Sequence, residues 1–176
     1  MSDNNQLKPS VLKLLKSKKH AEALDMCNQA LKESPHSPET NFIMARVQTR
    51  LENFDKAAAY YNKAAKYQTD SKALCKYYWC LGEMLFDNKK FIKSIVYFTE
   101  ALNTGYVYFK SSSFFYRADA YLSLEQYQKA LDDLLCIEGD MLLYNSKGKR
   151  EKSAMIAEAR AGVARRNKKY DLTPKN

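Results

Sequence analysis

His20–Leu31 reads HAEALDMCNQAL, and its plan returns in Phe54–Ala65 (FDKAAAYYNKAA), Phe91–Leu102 (FIKSIVYFTEAL) and Tyr127–Glu138 (YQKALDDLLCIE). Each block opens on His or an aromatic residue. Its fourth residue is small: Ala23, Ala57, Ser94 and Ala130 are spaced by 34, 37 and 36 residues. The eighth is a larger apolar residue (Cys27, Tyr61, Phe98, Leu134), and the eleventh is Ala30, Ala64, Ala101 or Ile137. Steps of three and four gather these positions on one face of a helix.

A second helix pattern precedes each block. Its own small residue, Ala45, Gly82 or Ala118, stands twelve positions before that of the block, and Val11 holds the equivalent place in the first unit. Small side chains at matched points let two antiparallel helices approach closely, while the larger ones fill the space around the contact. Asn53, Asn88, Gly105, Pro35 and Pro38 break the chain between helices. The spacing predicts an all-α chain of four helical hairpins at about 7–37, 38–71, 75–108 and 111–144. Beyond Ser153, the residues Met155, Ile156, Ala159, Gly162 and Val163 fall on one helical face. They predict a helix over 151–169 that covers the apolar end of the last hairpin. Lys147-Gly148-Lys149-Arg150 reads as a connecting turn, and 1–6 and 170–176 as flexible ends.

The composition agrees with helices, with only five Gly and four Pro in 176 residues. The net charge of +9 is unevenly placed: residues 1–20 carry +4, residues 147–176 carry +7, and the body between them −2. A nucleic-acid reader more often spreads basic charge over its folded face, so nucleic acid is not the expected partner. No run of about 18 apolar residues is present to span a bilayer, and no apolar signal core precedes a cleavage site. The expectation is a soluble, cytoplasmic protein. Cys27, Cys75, Cys80 and Cys136 form no CxxC pair, and with two histidines they make no zinc set; they read as buried free thiols in a reducing compartment.

At this point the sequence resembles the tetratricopeptide repeat family. Tyr78…Leu81-Gly82 and Ala118…Tyr121 match parts of the family's first helix, and Ala23…Cys27…Ala30…Pro35 follows its second helix and closing Pro. Thr69, Tyr106 and Leu142 stand where the later units would close on Pro, so irregular turns are expected there. The resemblance implies a right-handed solenoid with a C-terminal capping helix, whose first helices line a surface for a protein partner. Carried over by position, it implies a groove built from Phe42, Ile43, Arg46, Arg50, Lys76, Trp79, Glu83, Phe115, Tyr116 and Asp119. Phe42, Trp79 and Phe115 would stand in a row one repeat apart as rigid aromatic anchors; alternatively the rings pack against neighbouring hairpins. Arg46 and Arg50 would form a basic wall, and Glu83, Asp87 and Asp119 an acidic one. The family's clamp for chaperone C-termini is not matched, since Leu12, Ile43 and Cys80 replace its polar residues.

No catalytic constellation is present, and no cofactor or metal is expected. His20 opens a repeat block, His36 lies between prolines, and the glycines make no phosphate loop. Asp132 and Asp133 are adjacent on a helix and diverge, and Ser111-Ser112-Ser113 reads as a helix start. The function expected is therefore a binding module, an adaptor, scaffold or small chaperone that holds a peptide or helix of a partner protein. Two alternatives stand beside it. One is an inhibitor or antidote occluding an enzyme; the other is association with nucleic acid or an anionic surface through Arg165, Arg166, Lys168 and Lys169. The irregular first unit would also admit a second copy of the chain, as a homodimer.

Overall fold

A computed structural model describes residues 4–170. Its helices are α1 (Asn4–Lys16), α2 (His20–Glu33), α3 (Pro38–Arg50), α4 (Phe54–Lys66), α5 (Ser71–Asp87), α6 (Phe91–Asn103), α7 (Lys110–Ser123), α8 (Tyr127–Leu135) and α9 (Lys152–Tyr170). A short 3-10 turn, Val107–Phe109, precedes α7. Between α8 and α9 stand two strands, β1 (Leu142–Asn145) and β2 (Gly148–Glu151). The architecture is an all-α helical repeat carrying one β-hairpin. The expected loose ends at 1–3 and 171–176 lie outside the described residues; 4–6 and 170 belong to α1 and α9.

The turns within the four hairpins are built alike. Lys18, Glu52, Lys89 and Glu125 all have φ between 55 and 59°, and they recur with the 34-, 37- and 36-residue spacing of the small residues. Each turn closes with an amide five residues beyond its acceptor. Lys19 N donates to Leu14 O (2.9 Å), Asn53 N to Gln48 O (2.9 Å), Lys90 N to Leu85 O (2.8 Å) and Gln126 N to Tyr121 O (2.9 Å). This Schellman closure satisfies carbonyls that the helix end would leave orphaned. Glycine usually fills the left-handed position; here exposed Lys and Glu do. Other helix starts are capped by side chains: Ser37 Oγ accepts from Thr40 N (3.2 Å) ahead of Pro38, and Asp70 Oδ2 from Ala73 N (2.7 Å).

The chain divides into two compact units, one up to Met84 and one from Leu85 on, with the boundary inside α5. In the first, Leu7, Val11, Ala23, Cys27, Ile43, Met44 and Val47 form a buried cluster between α1, α2 and α3. Ala45 and Ala57 are fully buried where α3 meets α4. Phe42 stacks on Tyr77 at 4.4 Å and meets Tyr61 edge-on at 5.7 Å.

In the second unit, Phe115, Ala118, Leu122, Ala130, Leu134 and Ile137 bury together with Met155 and Ala159 of α9. α9 therefore covers the last hairpin. Its approach depends on Gly162, where an added Cβ would lie 2.3 Å from Cγ and Cδ1 of the Tyr127 ring. Tyr116 stacks on Phe98 at 5.4 Å and meets Phe86 edge-on. Arg117 binds Asp133 through two bonds, 2.8 and 2.6 Å, and Thr99 Oγ1 at 2.8 Å, tying α7 to α8 and α6. Burial lifts the Asp133 carboxyl above the usual range even with this partner.

Two local expectations are corrected. α8 ends at Leu135, and the chain turns away through Gly139 at φ +64°, so the helical block does not run to Glu138. Lys147–Arg150 is not a bare turn but the tip and second strand of a hairpin. β1 and β2 pair antiparallel with Leu142 opposite Glu151, Leu143 opposite Arg150 and Asn145 opposite Gly148. The side chain of Asn145 accepts from Lys147 N at 2.9 Å, and Gly148 at φ +93° closes the reversal.

Candidate functional site

Arg46 and Arg50 are four residues apart on α3 and share a face of the helix. With Leu12, Leu15 and Lys16 of α1, Lys18 of the following turn and His20 at the start of α2, they line an open cavity of about 460 Å³. Two leucines supply apolar wall, and Lys16, Lys18, Arg46 and Arg50 supply positive charge. No Asp or Glu lines it. The repeat register makes Leu12 and Lys16 of α1 the counterparts of Arg46 and Arg50 of α3. The site thus follows from the hairpin geometry, which places the same two positions of neighbouring first helices side by side.

Basic charge extends along this face of unit 1. Lys8 pairs with Glu39 at 3.2 Å, and the Lys76 ammonium lies 5.0 Å from the centre of the Phe42 ring. The Lys76 pKa is lowered, first by desolvation and then by Lys8, with Arg46 adding to it. Glu39 accepts from Tyr77 Oη at 3.1 Å. Trp79 and Glu83 of α5 are half-buried.

The expected aromatic anchors need correction. Phe42 and Phe115 are 0% exposed, and Ile43 and Tyr116 only 4 and 5%. Phe42 is enclosed by Tyr77 and Tyr61, Ile43 lies in the α1–α3 cluster, and Phe115 lies in the α7–α9 cluster. None can reach a ligand in this conformation. α3 packs against α1, α2 and α4, so a wide arc of it is buried, and its fifth and sixth positions belong to the core.

Asp119 is corrected as well. Its side chain is 0% exposed and takes Lys147 Nζ at 2.6 Å, Arg150 at 3.0 Å and Asn145 Nδ2 at 2.8 Å. The hairpin has covered and neutralised the residue expected to form an acidic wall. A sequence signal for it existed: the apolar run Leu142-Leu143-Tyr144 ends in Asn145-Ser146-Lys147-Gly148, a hairpin-turn pattern.

Of the basic tail, Arg165, Arg166 and Lys168 are exposed on α9, with the Arg165 guanidinium 5.8 Å from the centre of the Tyr127 ring; the Lys169 side chain lies outside the described ones. The cysteines differ from the uniform burial expected. Cys27 and Cys75 are buried, Cys80 is half-buried and Cys136 exposed. Burial pushes the Cys27 and Cys80 thiols up to about 12, which keeps them protonated and unreactive. Among the described residues, no group of three or more His, Cys, Asp or Glu could hold a metal, and no helix is long and apolar enough to cross a membrane.

Comparisons with known proteins place this geometry. A tetratricopeptide repeat family profile matches residues 14–76. A crystal structure of MamA protein superposes with a TM-score of 0.63 at 16% identity, covering 98% of this chain and 97% of that one. MamA from Desulfovibrio magneticus RS-1 gives 0.62 at 14% identity, over 77% of this chain and 73% of its own. YrrB, described as a TPR protein with an unusual peptide-binding site, gives 0.59 at 14% identity, over 73% of this chain and 64% of that one. No curated protein matches the sequence. The profile match runs from the end of α1 into α5, a little over a third of the chain, and the turn register carried through to α8 agrees with it: the chain has the helical-repeat fold of these tetratricopeptide repeat structures.

Proposed function

We propose that this chain is a protein-binding module that holds an acidic peptide or helix of a partner on the α1–α3 face of unit 1, serving as an adaptor, scaffold or small chaperone. One observation carries the reading: the cavity between α1 and α3 sets Lys16, Lys18, Arg46 and Arg50 around Leu12 and Leu15 with no acid lining it. Such a surface favours a segment that presents carboxylates and apolar side chains together. The cations speed its approach and set its orientation, and the leucines add desolvated contact. The repeat fold supports protein partners in general, and the cytoplasm is the compartment proposed for this work.

The test is capture of partners from a cell extract by the intact chain, by Arg46→Glu/Arg50→Glu, and by Arg165→Glu/Arg166→Glu/Lys168→Glu, with circular dichroism to verify folding. The reading predicts a protein retained by the tail variant and lost by the α3 variant. Loss with the tail variant alone would instead support association through α9.

A further inference from the structure

Arg46 and Asp119 are 73 residues apart, as are Arg50 and Ser123 and the packing residues Ala45 and Ala118. Asp119 and Ser123 therefore occupy on α7 the positions that Arg46 and Arg50 occupy on α3. On α3 those positions border an open cavity. On α7 they are covered, and what covers them is a segment of the chain itself. Lys147, at the tip of the β1–β2 hairpin, donates to Asp119 Oδ1 (2.6 Å), to the Asp119 carbonyl (3.2 Å) and to Ser123 Oγ (2.5 Å). Its ammonium also lies 5.4 Å from the centres of both the Phe86 and Phe91 rings. A carboxylate, a carbonyl, a hydroxyl and two aromatic faces converging on one ammonium make a site for a lysine side chain.

We propose that α7 carries a lysine-accepting protein-binding site, that the hairpin 142–151 is its built-in occupant, and that a lysine-bearing segment of a partner protein takes its place when the hairpin lifts. The hairpin is held in a way that suits release. Leu143 is its partly buried apolar contact with the unit 2 core, whereas Leu142 and Tyr144 are 44 and 70% exposed. Its remaining hold is polar: Asn145 and Lys147 at the tip and Arg150 in β2 all reach Asp119, and Arg150 also bonds the exposed Glu158 of α9 at 3.1 Å. Its base is fixed separately, since Lys152 Nζ donates to the carbonyls of Ile137 and Gly139, both at 2.6 Å. The tip can thus leave Asp119 while the base keeps its place beside α9. A replacement must bring positive charge, because an unpaired Asp119 at that depth is strongly disfavoured. This site is separate from the α1–α3 cavity, and neither stands or falls with the other.

The test uses a fluorescein-labelled synthetic peptide copying Asp140–Ser153 and the full chain in two forms, native and Lys147→Gln/Arg150→Gln. The proposal predicts roughly tenfold tighter binding, by fluorescence anisotropy, to the variant than to the native chain. It also predicts a roughly tenfold loss when the peptide itself carries Lys147→Gln. Equal binding to both chains, no binding to the folded variant, or indifference to the peptide's lysine would overturn it. A second measurement needs no variant. In the native chain, raising salt from about 50 to about 500 mM is expected to speed hydrogen exchange of the 142–151 amides while α7 and α8 stay protected. Exchange of the hairpin only together with α7 and α8 would show that it is a fixed part of the core.

Discussion

Lys147 Nζ lies 2.6 Å from Asp119 Oδ1, joining a hairpin tip to a helix 28 residues earlier, and the carboxylate it meets is 0% exposed. Arg150 reaches the same oxygen at 3.0 Å. The two cations are unequal to their partner in one respect: their side chains are 31 and 22% exposed and can turn to water, whereas Asp119 cannot.

Removing the acid or one base should therefore have different consequences. Asp119→Asn removes the buried charge that both cations share, leaving Lys147 on Ser123 and a carbonyl and Arg150 on Glu158, with an expected loss of about 2–4 kcal/mol. Lys147→Met leaves Arg150 and Asn145 on the carboxylate and should cost about 1–2 kcal/mol. Urea denaturation of the two variants and their double mutant measures the coupling. A loss below about 0.5 kcal/mol for Asp119→Asn would show that the network is not holding the hairpin.

Gly162→Ala separates two opposed effects. Alanine in a helix gains about 1 kcal/mol over glycine, but here its Cβ would fall 2.3 Å from the root of the Tyr127 ring rather than its free end. Overpacking of that kind costs about 1–3 kcal/mol, so a net loss and a lower urea midpoint are expected. A gain would mean that α9 does not lie close against α8.

The four hairpin turns offer the converse case. Glu52 and Glu125 hold φ of 59 and 55° without being glycine, a conformation costing an L residue about 1–2 kcal/mol. Glycine loses about 0.5–1 kcal/mol of that advantage through its greater freedom when unfolded. Glu52→Gly and Glu125→Gly should each raise Tm by about 2 °C, and the pair additively. An unchanged or lower Tm would contradict the turn geometry.

These turns show what was legible in the sequence and what was not. The repeating small residues identify the hairpins because close helix approach tolerates little else, and Ala23, Ala57, Ser94 and Ala130 are all 0% exposed. The left-handed residue at each turn left no glycine to find, and the neighbouring Asn53 and Asn88 drew attention one position along. Of the positions carried over for a groove, Arg46 and Arg50 border a cavity, whereas Phe42 and Phe115 went into the core. A 3.6-residue period marks one buried face, and it does not show that a helix packed between others buries a second. The hairpin escaped because four-residue strands leave little pattern, and its anchor on Asp119 joins residues far apart in the chain.

Cysteine reactivity checks the burial pattern independently. Thiolate is the reacting species, and burial holds Cys27 and Cys80 up at about 12 while Cys136 is exposed. With iodoacetamide at about pH 8, peptide mapping should find Cys136 alkylated first and Cys27, Cys75 and Cys80 only after unfolding. Early labelling of Cys27 would mean that the α1–α3 cluster opens readily.

The α1–α3 cavity is tested most directly by binding of a fluorescein-labelled peptide that alternates Leu with Glu, followed by anisotropy against the native chain and Arg46→Gln/Arg50→Gln. Saturable binding that weakens roughly tenfold in the variant, and falls as salt rises, is the predicted result. No binding to the native chain, or equal affinity for both, would contradict an acid-accepting site on α3.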